Sequence, residues 1–285
     1  MKKFFKRLKG KVKIGIGAFF LAVVCAVYAI GNIGSEIAYD RPLIKAVIIG
    51  DSGAQTDQFQ VNNEKIKEIM AQDGFLLGDE SYSDGVKNQK DFDENVKPLD
   101  NGFTKWHIVR GNHSYYSRHP EKIEPIVKKE KNFFLPTGVI YTNACYLLIE
   151  STLWEEIADI KQESDKSNIQ DLQKKTISYT EEWLKKCEGK LKIVGAHHCI
   201  YAKSGSHLGY NTKEYKALYD KYFAHKVDYF TCGHNHIVED NGIHEGVHHY
   251  TSGAFAKDDT CESENCAESG FLLFDAVNNK VEMVK

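Results

Sequence analysis

Residues 76–85 read LLGDESYSDG. Leu76 and Leu77 close an apolar run that opens at Gly74, as a buried strand does, and Gly78-Asp79 stops it. Three residues past the carboxylate comes Tyr82. A single Gly-Asp after a strand is ordinarily a turn. The same kind of ending recurs, however, at Gly50-Asp51, at Gly111-Asn112-His113, at Gly195-Ala196-His197 and at Gly233-His234-Asn235-His236. Each follows an apolar run and each carries Asp, Asn or His. Turn chemistry does not require that repetition. Sites in open α/β sheets gather at the carboxyl ends of strands.

Between these runs lie helical patterns. "QFQVNNEKIKEIMAQ" (58–72) and "TKEYKALYDKYFAHK" (212–226) have helical spacing. "NIQDLQKKTISYTEEWLKKCEG" (168–189) sets Leu172, Ile177, Trp183 and Leu184 near one face, with Gly189 as its stop. "VIYTNACYLLIES" (139–151) reads as one longer strand, and "EEIADIKQESDKSNIQ" (155–170) as a charged surface excursion. Strand-helix alternation predicts an α/β fold with a largely parallel sheet. The closing hairpin in "GFLLFDAVNNKVEMV" (270–284) predicts that the sheet is mixed, or that there are two.

The composition is that of a globular protein, 42% hydrophobic and 27% charged, and the net charge of -3 does not indicate a nucleic-acid partner. Charge is unevenly spread. "MKKFFKRLKGKVK" is basic without an acid, and Ile14 to Ser35 carries no charge. That run is close to the roughly 20 residues of a membrane-spanning helix. A basic start before it suits an uncleaved anchor or a cleaved signal peptide, Val27-Tyr28-Ala29 offering a cleavage site. Residues 1–35 are therefore expected to be a cytoplasmic basic segment plus signal or anchor. The membrane is expected as a partner, and the body to be anchored outside the cytoplasm, or secreted if cleaved. "SEIAYDRP" (35–42) reads as a polar linker, and residues 42–285 as the catalytic domain. Of seven cysteines, six lie in that body; Cys261 and Cys266 are the expected disulfide pair, and Cys199 and Cys232 are read as buried thiols.

Asp51, Asp79, Tyr82, Asn112, His197, His234 and His236 together offer oxygen and nitrogen donors and no thiolate. Such a set suits iron, zinc or manganese. It is too large for one open tetrahedral site and suits two ions sharing a carboxylate, about 3.5–4 Å apart, an arrangement that cleaves phosphate esters.

The ordered blocks Asp51, Gly78-Asp79-x-x-Tyr82, Gly111-Asn112-His113, Val194-x-x-His197 and Gly233-His234-x-His236 resemble the purple acid phosphatase branch of the metallophosphoesterases. The resemblance implies a four-layer sandwich of two mixed sheets flanked by helices, here preceded by the N-terminal hydrophobic helix. It implies Fe(III) on Asp51, Tyr82 and His236, and a second divalent metal (Fe, Zn or Mn) on Asn112, His197 and His234. Asp79 would bridge them. His113 and His207 would contact a small phosphorylated substrate or its leaving group; His198 could do so too or pack, and packing is preferred. His107, His119, His225, His244, His248 and His249 are read as surface or strand histidines. Most metallophosphoesterases begin Asp-x-His, whereas Gly53 stands at that third position here, and Tyr82 would replace the lost ligand. Two departures from the branch are Ser114, where an acid usually follows the Asn-His pair, and Ser52, which would leave one wall of the cleft open. The implied activity is acid phosphatase-like hydrolysis of phosphate monoesters. A phosphodiesterase or nucleotide hydrolase on the same metals, and a binding protein with a retired site, are the alternatives.

Overall fold

The computed structural model describes residues 34–54, 56–82, 96–115, 135–155, 163–205, 212–256 and 269–285. In chain order the strands are β1 (Ser35–Ala38), β2 (Lys45–Ile49), β3 (Asp73–Leu77), β4 (Lys105–Val109), β5 (Thr137–Ile140), β6 (Ala144–Ile149), β7 (Leu191–Ala196), β8 (Tyr229–Cys232), β9 (Val238–His244), β10 (Val247–Ser252), β11 (Phe271–Asp275) and β12 (Lys280–Val284). Helices are α1 (Asp57–Ile69), α2 (Asn112–Tyr115), α3 (Thr152–Glu155), α4 (Glu163–Lys186) and α5 (Lys213–Tyr222).

Two mixed sheets result. One has the order β1-β5-β6-β7-β8-β10-β9, the other β12-β11-β2-β3-β4. β2, β3 and β4 run parallel, as do β6, β7, β8 and β10. Strands buried on both faces are apolar throughout. On β2, Ala46 and Ile48 meet the other sheet, while Val47 and Ile49 face the opposite way under Phe59 and Ile66 of α1. Between the sheets, Phe75 stacks on Tyr146 with ring centroids 3.6 Å apart. On the far face, Leu172 and Trp183 of α4 and Tyr219 of α5 cover Val194 and Phe230. The order of layers is helix, sheet, sheet, helix. Thr56 and Thr212 start α1 and α5 by accepting the backbone N–H of Phe59 and Tyr215 at 3.2 and 3.1 Å.

Several expectations are corrected here. "SEIA" is β1, paired in parallel with β5 from Ser35↔Thr137 to Ala38↔Ile140, and not a linker. The anchor or signal expected over residues 14–35, with the membrane partner and the anchored or exported location it implied, is corrected as well. Among the described residues no helix is long and apolar enough to cross a membrane. Residues 1–33 lie outside the described residues, and Gly34 and Ser35, the end of that run, are not helical, because Ser35 is taken up by the sheet. Residues 139–151 are two antiparallel strands, β5 and β6, turned at Tyr141–Asn143. Asn143 stabilises that turn through side-chain hydrogen bonds with both the N–H and the carbonyl of Leu43. Cys145 is bonded to Cys187 and Cys199 to Cys232, where buried thiols were expected of the latter two. Cys261 and Cys266 lie outside the described residues.

Candidate metal centre

The carboxyl ends of β2, β3, β4, β7 and β8 meet at one rim, and the donors leave the strands there on tight turns. Asp51, Asp79, His234 and His236 all have left-handed backbone, with φ of 59, 54, 65 and 50°, and Gly78 precedes Asp79 at φ 94°. For a residue with a side chain this conformation costs roughly 1–2 kcal/mol. Cross-links hold the turns in place. Asp51 N–H donates to Gly78 O, Gly53 N–H to Asp79 O and Gly233 N–H to His197 O, each at 2.9 Å. Strain of this kind clusters where function requires a geometry that the chain would not choose.

Asp51, Tyr82 and His236 form one group of donors. Asp51 is fully buried. Its Oδ1 accepts the Tyr82 hydroxyl at 2.9 Å and lies 3.3 Å from His236 Nε2, and its Oδ2 accepts the His234 N–H at 2.8 Å. Tyr82 Oη is 3.4 Å from His236 Nε2. Burial pushes the Asp51 carboxyl upward, but His236 above all, then His197 and Tyr82, outweigh it and hold the group below the usual carboxylate range.

Gly53 explains why Tyr82 can enter this group. A Cβ at position 53 would lie 2.5 Å from Ser81 N and 2.8 Å from Glu80 C. The main chain that carries Tyr82 therefore passes through the space a histidine at 53 would need. The missing histidine and the added tyrosine are two sides of one steric choice.

His197, Asn112 and His234 form the second group. His197 is fully buried, and burial pulls its pKa down to about 3, so the ring is neutral. Its Nδ1 lies 2.8 Å from Leu77 O, which can only accept, so Nδ1 carries the proton and Nε2 presents a lone pair. That Nε2 is 2.9 Å from Asn112 Oδ1, 3.1 Å from His234 Nδ1 and 3.5 Å from Asp79 Oδ2. Donor atoms of Asp51, Asp79 and His197 lie within 4.8 Å of one another, so Asp79 stands beside both groups. Its Oδ1 accepts the His113 N–H at 3.0 Å.

These residues fit metal ions. With Asn112 presenting its oxygen, the His197 Nε2 lone pair faces it at 2.9 Å, an opposition that a cation between them would resolve. Ligand bonds of about 2.0–2.2 Å set neighbouring donors roughly 3 Å apart, the spacing both groups have. Buried carboxylates beside imidazoles, without thiolate, suit hard and borderline divalent or trivalent ions.

Of the remaining expectations, the His113 ring packs 4.9 Å from that of Tyr82, at the edge of the site. His207 lies outside the described residues, as does His119. Ser52 is itself buried. His107 on β4 and His249 on β10 are strand histidines, buried against Asp73 at 3.2 Å and Tyr219 Oη at 2.8 Å rather than exposed. His198, left by the sequence between packing and a contact at the site, is buried beside the site. Its ring lies 4.5 Å from that of His234, and its donor atom is within 4.8 Å of those of His197 and His234. Ser151, at the end of β6, accepts the His198 N–H at 3.0 Å and lies 2.8 Å from its Nδ1. "IES" is a further polar strand ending, but it lacks the glycine that marks the others.

Comparison with known proteins bears on the family and the fold. The calcineurin-like phosphoesterase family profile matches residues 44–238. By fold the chain is similar to GAP50, the anchor in the inner membrane complex of Plasmodium, at 13% identity and a TM-score of 0.56, over 85% of this chain and 88% of that one. It is also similar to a dimetal phosphatase from Danio rerio, at 12% identity and a TM-score of 0.57, over 82% and 93%. At such identities the likeness speaks for the fold alone. A search of curated protein sequences finds no match.

Proposed function

The chain belongs to the calcineurin-like phosphoesterase family, and from that premise we propose that it hydrolyses phosphate monoesters at a dinuclear centre of the purple acid phosphatase kind. In this reading Asp51, Tyr82 and His236 hold Fe(III), Asn112, His197 and His234 hold a divalent Fe, Zn or Mn, and Asp79 is shared. The observation that carries the reading is Tyr82. Its hydroxyl is 2.9 Å from Asp51 Oδ1 and 3.4 Å from His236 Nε2, with no room for a histidine at Gly53. A phenolate is a hard anionic donor, which favours Fe(III) over Fe(II).

When bound, the two ions supply Lewis acidity toward phosphate oxygens and acidify water. The chain's own residues do the rest. Leu77 O fixes the His197 tautomer, so that Nε2 faces inward. Asp51 stays ionised in mild acid because His236, His197 and Tyr82 outweigh its burial. Asp79 anchors the His113 backbone at 3.0 Å, which keeps the imidazole at the edge of the site. There it gives a proton to the leaving alkoxide, with His207 as the second such group.

The test pairs an assay with a spectrum. The purified protein is given an aryl phosphate and its diester, with and without a chelator. It should cleave the monoester preferentially and lose activity to the chelator. Preference for the diester would favour the phosphodiesterase or nucleotide hydrolase alternative. No metal-dependent cleavage of either would favour a retired site. Iron-loaded, oxidised protein should show a visible phenolate-to-iron band that Tyr82→Phe abolishes. A Tyr82→Phe variant that keeps the band would remove Tyr82 from the ligand set.

A further inference from the structure

The ladder between β7 and β8 ends at Ala196↔Cys232, and one further backbone bond follows it, from Gly233 N–H to His197 O at 2.9 Å. Beyond this point parallel pairing no longer holds the two chains together. Both carry a metal-type histidine there, and His234 does so on left-handed backbone. Cys199 lies two residues after His197, and Cys232 two residues before His234. The two cysteines are bonded, with Cα atoms 5.1 Å apart, and both are buried. The covalent bond therefore folds the His197 segment back over the end of β8. Across it, His197 Nε2 and His234 Nδ1 are 3.1 Å apart.

The geometry points to the Cys199–Cys232 disulfide as a positioning clamp for the His197/His234 half of the metal centre, an inference that rests on the two-metal reading above. Opening the clamp removes the covalent tie behind two histidines of one metal site at once, leaving them their hydrogen bonds to Leu77, Gly233 and Asp51. The other group has anchors of its own, although its Asp51 also accepts the His234 N–H at 2.8 Å. Asp51 is fixed by Gly78 O and by the Tyr82 hydroxyl, and His236 faces both Asp51 and Tyr82. Loss of the disulfide should then weaken one ion selectively. The second disulfide supplies the control. Cys145–Cys187 joins β6 to the end of α4, and Cys145 sits opposite Lys192 near the start of β7, away from the rim. The bridges close comparable stretches, with sequence separations of 42 and 33 residues, so their effects on the unfolded chain are similar.

The experiment strips metal from the full-length protein and titrates it with Zn(II) against a chromophoric chelator. Wild type is compared with Cys199→Ser/Cys232→Ser and with Cys145→Ser/Cys187→Ser. The first double variant should lose affinity at one of two sites by about 10–100-fold, the usual scale for a support behind a metal ligand. Its other site should change less, and both sites of the control should stay at wild-type affinity. Equal losses in both variants, or none in either, would overturn the clamp. Should the first variant fail to fold, the comparison moves to folded wild-type protein treated with a small dithiol. The dithiol gives two electrons and two protons to the bond, yielding two thiols and its own cyclic disulfide. Alkylation and mass spectrometry then report which bridge has opened. Selective weakening on opening of Cys199–Cys232 supports the clamp; unchanged affinity refutes it. A wild type that binds fewer than two Zn(II) ions would overturn the two-metal reading itself, a failure distinct from two ions bound and indifferent to the disulfide.

Discussion

Gly53→Ala tests the coupling between the absent histidine and the tyrosine without touching any donor. The added Cβ would meet Ser81 N at 2.5 Å, Ser81 Cα at 2.6 Å and Glu80 C at 2.8 Å. All three are main-chain atoms, so no rotamer relieves the overlap. Ordinary contacts between non-bonded atoms begin near 3.5 Å, and the 80–81 segment must therefore retreat by about 1 Å. Tyr82 follows directly. Its hydroxyl bonds Asp51 Oδ1 at 2.9 Å, and a shift of that size takes the pair beyond hydrogen-bond range. Overpacking costs about 1–3 kcal/mol, and loss of a hydrogen bond to a buried charge about 1.5–3 kcal/mol. The total, about 2.5–6 kcal/mol, is a large share of a typical stability of about 5–15 kcal/mol. Urea unfolding of the metal-free protein measures it, and iron retention measures the effect on the Tyr82 group. Gly53→His, which restores the commoner Asp-x-His pattern, should fare no better, because the space is already filled. A Gly53→Ala protein within about 0.5 kcal/mol of wild type, with iron retained, would refute the steric argument.

Asp79→Asn keeps an acceptor for the His113 N–H but removes the charge beside both donor groups. Turnover should fall by more than about 100-fold with the circular dichroism spectrum unchanged; wild-type turnover with two ions bound would contradict a shared role for Asp79. Ser151→Ala deletes both contacts to His198, and should cost about 1–3 kcal/mol and lower metal retention through the His198–His234 contact. Unaltered stability and metal content would reduce Ser151 to a bystander. Burial holds His197 and His249 both at about 3, below the ordinary 6.5. Between those values the unfolded chain binds more protons than the folded one, so stability falls as pH falls, by up to about 1.4 kcal/mol per pH unit for each histidine. His249→Gln removes one of the two, and the acid limb of the metal-free stability curve should become shallower by about that amount; an unchanged slope would mean that His249 is protonated in the folded state.

Legibility in the sequence followed the physics of each segment. Strands buried on both faces, such as β2, β3 and β7, are continuous apolar runs and declare themselves. So do α1 and α5, whose caps and apolar faces are local. β9 did not, since Val238–His244 is an edge strand of polar and charged residues whose pairing with β10 is decided across a turn at Glu245-Gly246. β1 was hidden for the same reason: "SEIA" becomes a strand only because β5 offers it an edge. The division of residues 139–151 into β5 and β6 turned on Asn143, whose bonding partner, Leu43, is distant in sequence.

The sequence by itself determined the α/β class, the family and the strand-end donors, because burial patterns and donor types are properties of the residues in order. Only the tertiary structure decided which donors share a group, because that depends on how separate strand ends meet at one rim. It alone set the main chain of residues 80–81 against Gly53, buried His198 against His234, and brought Cys199 back to Cys232 across the histidine pair. Each is a contact between segments far apart along the chain, formed only when the two sheets close on their common core.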